Sequence, residues 1–149
     1  MRLVIQRVLH AEVTVEGKEV GRCGHGYMVL CGAETGDTQQ DVDCCAQKTA
    51  HLRIFEDENG KMNRSILDIG GSILAISQFT LLGDGRHGRR PSFDQAERPE
   101  QAKQLYDCYC QALRDMGIPV ECGIFGADMK VSLVNDGPVT LLMDSRKGF

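Results

Sequence analysis

The sequence predicts an α/β fold: mixed β-sheets with two helices layered on one side, giving α/β/β layers in a single domain. Three observations carry this prediction. The apolar run Ile73-Leu74-Ala75-Ile76 follows Gly70-Gly71 and is too short for an amphipathic helix, so it reads as a strand covered on both faces. Two longer segments, one after Thr38 and one from Pro99, repeat apolar or small residues at helical spacing. The other apolar stretches are short and bounded by turn residues. The resulting order, β-β-β-α-β-α-β-β-β, sets helices between groups of strands. At 149 residues and 42% hydrophobic content, the chain can bury a core without disulfide or metal staples.

Taken in order, residues 2–8 (RLVIQRV) and 11–15 (AEVTV) are β-branched and partly alternating, and Glu16-Gly17-Lys18 supplies a tight turn before a short run at 19–22. Residues 26–32 (GYMVLCG) are apolar and closed by glycines, which suits a central strand. Thr38-Gln39-Gln40-Asp41 has the form of a helix N-cap with an acid three positions on. The helix that follows lays Val42, Cys45, Ala46, Thr49 and Leu52 on one face. Residues 56–61 (EDENGK) are turn chemistry with Asn59-Gly60 at the tip, and residues 63–69 lead into the 73–76 strand. Residues 83–98, rich in glycine and charge and without a sustained period, predict a long exposed loop. Pro99 opens the second helix, whose stripe runs through Ala102, Leu105, Tyr106, Tyr109, Ala112, Leu113 and Met116 and stops at Gly117. Its tyrosines read as packing. Residues 118–125, 130–135 and 139–143 are three further strand candidates.

Composition excludes several functional classes. A net charge of −4 argues against a protein that coats nucleic acid unspecifically, while leaving room for a local basic footprint. No segment approaches the roughly 18 consecutive apolar residues of a membrane span, and the N-terminus lacks the apolar core of a signal peptide, so a cytoplasmic location without membrane contact is expected. The seven cysteines, at 23, 31, 44, 45, 108, 110 and 122, form no CxxC pair and no Cys-His spacing of the zinc-finger kind. Reduced thiols, no metal and no cofactor are expected.

Three constellations could carry chemistry. Ser77, Gln78 and Thr80 stand where the buried strand ends; they either open a loop or point hydroxyl, amide and backbone N–H groups into a cleft. None of the four histidines, 10, 25, 51 and 87, sits in a triad motif, and AISQF lacks the glycines of a nucleophile elbow. Arg86, His87, Arg89 and Arg90 are the one dense basic cluster, either a solvated loop or a grip for phosphates through charge-assisted hydrogen bonds. Asn135-Asp136-Gly137-Pro138-Val139-Thr140 is either a plain reverse turn or, since X-Pro alone readily takes the cis form, a device for aiming two carbonyls in one direction.

These pieces together resemble the D-aminoacyl-tRNA deacylases. The likeness runs nearly end to end, from MRLVIQRV through SQFTL at 77–81, GRRPSF at 88–93 and GADM at 126–129 to NDGPVT at 135–140. Extra cysteines at 31, 44 and 45 depart from the family pattern and touch no motif. The resemblance implies a cytosolic homodimer that hydrolyses the ester of D-aminoacyl-tRNA, or of glycyl-tRNA, as proofreading. It places Ser77, Gln78, Phe79 and Thr80 at the catalytic floor. It assigns Gly137, Pro138, Phe125, Met129 and Arg7 to substrate binding, with a Gly-cisPro segment reaching into the other subunit. Arg86, Arg89 and Arg90 would contact tRNA. It further implies chemistry that leans on backbone groups and the terminal ribose 2′-hydroxyl, for which a placed water and donors for an oxyanion suffice. Two other readings stand beside it: a non-catalytic tRNA-binding module of the same fold, and a serine esterase using Ser77 with a distant histidine.

Overall fold

A computed structural model describes all residues, 1–149. Its frame is a pair of long antiparallel strands, β1 (Arg2–Val15) and β8 (Lys130–Asp144), which face each other along nearly their whole length. On its other side β1 pairs first with β3 (Gly26–Gly32) and then, past Leu9 and His10, with β2 (Lys18–Cys23). The two N-terminal segments of the sequence are therefore one strand, bent where its register slips opposite β8. Next to β3 lie β6 (Ser72–Ser77) and β7 (Val120–Cys122), both parallel, which completes one six-stranded mixed sheet in the path β2-β1-β3-β6-β7. The sheet curls until its ends meet, where the Arg22 N–H donates to Glu121 Oε1 at 3.1 Å.

Side-chain alternation divides the core. On the outer face of the curl, Leu3, Ile5, Tyr27, Val29, Ile73 and Ala75 pack against α1 (Gln39–His51) and α2 (Pro99–Asp115). On the inner face, Val8, Val13, Met28, Leu74 and Ile76 pack against one another. Strand β6 is thus buried on both sides, with Ile73, Leu74 and Ala75 at 0% exposure, as its unbroken apolar run predicts. Burial of each such Ile or Leu contributes about 1.5–3 kcal/mol. Both helices lie on the one side, and the Thr49 and Tyr109 hydroxyls, 2.8 Å apart, join them in the interior. The helix ends follow their sequence signals: the Asp41 carboxylate accepts from the Thr38 N–H at 2.9 Å, and Pro99 stands at the start of α2.

Three departures from the sequence reading have physical causes. The turn at 56–61 is the tip of a small hairpin, β4 (Phe55–Glu56) with β5 (Met62–Arg64), because Asp57 accepts from the Asn59 and Lys61 N–H groups at 2.9 and 3.0 Å and folds the chain back. The strand expected over 118–125 is only Val120–Cys122, since the chain leaves the sheet at Gly123. Residues 130–135 and 139–143 are one strand rather than two, with residues 136–139 bulging out opposite Arg7. The long loop is as exposed as expected but pinned, by paired backbone bonds between Asp84 and Ser92 and a bridge from Glu34 to Ala96.

Candidate active site

Where β6 ends, the Gln78 N–H still donates to the Cys31 carbonyl of β3 at 2.8 Å, and the chain then tightens into a 3-10 turn, Phe79–Leu82. The sheet therefore holds the turn from behind. Arg2 adds a bond from Nη1 to the Leu81 carbonyl at 3.2 Å. Gly32 permits the close approach: a Cβ there would lie 2.9 Å from the Gln78 carbonyl oxygen and 2.8 Å from a Leu82 methyl.

In front of the turn opens a cleft of about 550 Å³, a size suited to a small organic group. Ser77, Gln78, Phe79 and Thr80 line it together with Phe125 and Met129. Six residues from two separate stretches of sequence therefore converge. Most of the wall is apolar. The opposite side comes from Phe93, Ala96, Glu97 and Arg98 at the end of the long loop, and from Ala102 and Tyr106 on α2. The sequence assigns none of these to the site. Ala102 and Tyr106 did give a signal, one helical turn apart on the α2 stripe, but the stripe serves both core and cleft. Tyr106 is buried and donates from its hydroxyl to the Ala75 carbonyl at 2.7 Å, so the packing role assigned to it holds and a lining role is added.

The chemistry available in the cleft is limited and specific. None of the four histidines lines it, and the Thr80 hydroxyl accepts a 2.8 Å bond from the Gln78 side-chain amide. Ser77 and Thr80 thus have no imidazole to serve as base, which removes the structural basis for a Ser-His esterase. Burial pushes the Cys31 thiol and the Tyr106 phenol upward, away from their anionic forms. Glu97 is occupied, accepting from the Gly36 and Arg98 N–H groups at 3.1 and 2.9 Å. What the turn does offer is main chain: the first N–H groups of a helical turn have no partner within it, and Phe79 and Thr80, which open this turn, both line the cleft.

Arg7, Gly137 and Pro138 are brought together, but elsewhere. Arg7 is 5% exposed, donates from Nη1 to the Ile54 carbonyl at 2.7 Å, and sets Nε 3.3 Å from an Asp136 carboxylate oxygen. Asn135 closes the neck of the bulge, its side-chain amide donating to the Arg7 and Val139 carbonyls at 2.9 and 3.0 Å. The Gly137-Pro138 peptide is cis and both residues are exposed. Arg7 faces Tyr27 on β3, whereas Ser77 faces Cys31, so bulge and cleft stand about 13 Å apart along the strands and do not touch within one chain.

The basic cluster divides. Arg86 is held by Asp84 through Nε and Nη2 at 2.9 and 2.7 Å, which also draws the Asp84 carboxyl far below its ordinary range. Arg89 and Arg90 are exposed at the loop tip, four and three residues ahead of the cleft-lining Phe93.

Comparison with known proteins extends this geometry. Residues 4–144 match the family model described as D-Tyr-tRNA(Tyr) deacylase. A D-aminoacyl-tRNA deacylase of Bacillus pumilus (strain SAFR-032) is 58% identical over 147 residues, covering 99% of this chain and 100% of that one. Another, from Thermus aquaticus, is 57% identical over 145 residues, covering 97% and 95%. Among solved structures, a c-Myc DNA Unwinding Element Binding Protein superposes with a TM-score of 0.91 at 40% identity, over 97% of this chain and 98% of that one. A probable eukaryotic D-amino acid tRNA deacylase shares the fold, with a TM-score of 0.80 at 21% identity over 95% and 97%. With SQFT lining the cleft and the family model spanning nearly the whole length, the chain belongs to the D-Tyr-tRNA(Tyr) deacylase family.

Proposed function

We propose that this chain hydrolyses the ester of D-aminoacyl-tRNA, and of glycyl-tRNA, releasing the amino acid and tRNA. The observation that carries the reading is a cleft lined by the first residues of a 3-10 turn at a rigid strand end, with no imidazole beside its hydroxyls. An aminoacyl ester is activated, so a placed water and donors for the developing oxyanion suffice; removal of one such donor typically costs a factor of about a hundred to a thousand. The ribose 2′-hydroxyl beside the ester supplies a further polar group from the substrate itself.

Selection for D-substrates works by exclusion. Main chain at Gly137-Pro138 of a second copy fixes the α-ammonium and occupies the space an L side chain requires, while a D side chain points outward. Glycine, having no side chain, passes. Support comes from placement: the bulge is exposed, braced by Asn135 and Arg7, and without a role in its own chain's cleft. A homodimer is further favoured by β8, which pairs on one side only and leaves Val134 and Leu142 41% and 63% exposed. Arg89 and Arg90 meet tRNA phosphates near the cleft mouth, with Arg86 a weaker contributor because Asp84 already neutralises it. The work is done in the cytoplasm, without a membrane; no helix of the chain is long and apolar enough to cross one.

Mixing the purified protein with D-tyrosyl-, L-tyrosyl- and glycyl-tRNA and following ester loss tests the reading. Rapid loss from the D and glycyl substrates with the L substrate untouched is expected. Ester loss no faster than in buffer would make the chain a tRNA-binding module instead, and equal D and L rates would remove the exclusion mechanism.

A further inference from the structure

Behind the cleft wall, Cys110 on α2 and Cys122 on β7 bring their sulfurs to 3.6 Å. Cys110 is 1% exposed, and Cys122 is partly open to solvent. Arg114, one turn beyond Cys110, is anchored by Nε and Nη2 to the Val120 carbonyl at 3.2 and 3.0 Å, and its Nη2 also reaches Cys122 Sγ at 3.6 Å. A guanidinium held against a sulfur favours the thiolate, so the proton shared by the two sulfurs belongs on Cys110. The hydrogen bond from Cys110, aided by Arg114, holds the Cys122 thiol down at about 6, whereas that same shared bond and burial push Cys110 upward. The other thiols differ. Burial pushes Cys23 up to about 11 and Cys45 to about 12, and Cys44 and Cys108 are exposed on the helices.

We propose that Cys122 and Cys110 form a reversible oxidation site for hydroperoxides, with Cys122 the attacking thiol and Cys110 the resolving one. The Cys122 thiolate attacks the outer peroxide oxygen: an S–O bond forms, the O–O bond breaks, and the departing oxygen takes a proton from water. Cys110 then attacks Cys122 Sγ, forming the S–S bond and breaking S–O; hydroxide leaves and, with the proton of Cys110, becomes water. Two electrons pass from the thiols to the peroxide. Closing 3.6 Å to a bond of about 2.0 Å takes a sulfur shift of about 1.6 Å. The site joins two walls of the cleft, because Phe125 and Met129 follow Cys122 along the chain and Tyr106 precedes Cys110 by one turn of α2.

The test exposes the native protein to hydrogen peroxide for timed intervals, blocks remaining thiols with N-ethylmaleimide, and reads the digested peptides by mass spectrometry. A Cys110–Cys122 linked peptide should accumulate before any other thiol is consumed and should vanish with dithiothreitol. In Cys110→Ser, Cys122 should halt as a sulfenic acid captured by dimedone, and in Arg114→Gln it should react about tenfold more slowly. The time course on the unaltered protein needs no variant to fold. Earlier oxidation of Cys44 or Cys108, a link through either, or passage of Cys122 to sulfinic acid without a link to Cys110 would overturn the proposal.

Discussion

The turn after β6 and the bulge in β8 are both short, polar and irregular, yet they are held in opposite ways. Behind Ser77–Thr80 stand a strand buried on two faces and the β3 carbonyl that takes the Gln78 N–H. Behind Gly137-Pro138 stands only an edge strand, stiffened by the Asn135 amide and the buried Arg7 cation. One region is built to form a floor within its own chain. The other is rigid and presented outward, which is the form a group takes when it acts on a neighbour. The proposed site, assembled from both, keeps the chemistry in the core and draws its selectivity from a second copy.

The comparison breaks most visibly at Gly137. Its φ of +119° lies where L side chains are strained, and an added Cβ would meet Arg7 Nη2 at 3.0 Å and Val139 Cγ2 at 2.9 Å. Gly137→Ala should displace the bulge, lower the D-tyrosyl-tRNA rate about a hundredfold, and leave the circular dichroism spectrum unchanged. Gly32→Ala tests the other region from behind. Its Cβ would press the Gln78 carbonyl forward, and a fall of about tenfold in kcat, with tRNA affinity kept, is the expected reading. An unaffected kcat there would mean that the turn is not the floor.

The two regions were unequally legible in the sequence. β6 announced itself because burial on both faces demands an unbroken apolar run, and the polar residues after it mark where burial stops. Gly-Pro in NDGPVT marked the bulge, but its distance from the cleft depends on the register of β8 against β1, and Arg7 and Asn135 are 128 residues apart. No local pattern encodes that. Glu97 and Arg98 give no sequence signal because an irregular loop has no period, and its far end reaches the cleft through contacts distant in sequence, such as the Glu34–Ala96 bridge and the Glu97 N–H bond to the Ala33 carbonyl. The pairing of Arg86 with Asp84, two residues away, divides a cluster that in sequence looks uniform.

Smaller effects sharpen the comparison. Replacing Arg89 and Arg90 by alanine should weaken tRNA binding and reduce the slope of log K against log salt by about 2, with the D-to-L ratio unchanged. Arg86→Ala should move that slope less, since Asp84 already neutralises the charge. Thr80→Ala should be the mildest, costing only about a few-fold in rate, because it removes a hydroxyl bonded to Gln78 and leaves the backbone donor in place. Complete inactivity of a folded, tRNA-binding Thr80→Ala protein would point to a threonine nucleophile.

The central claim is that one copy's cleft is completed by the other's bulge, and complementation reads it directly. Ser77→Trp fills the cleft and keeps the bulge; Gly137→Ala keeps the cleft and displaces the bulge. Each variant alone should keep about a hundredth of the unaltered activity on D-tyrosyl-tRNA, or less. After the two are unfolded together and refolded as a mixture, half of the dimers are mixed and each holds one intact site, so about a quarter of the unaltered activity should return, with L-tyrosyl-tRNA still spared. A mixture as inactive as its components, although mixed dimers have formed, would show that cleft and bulge act within one chain and would contradict the account.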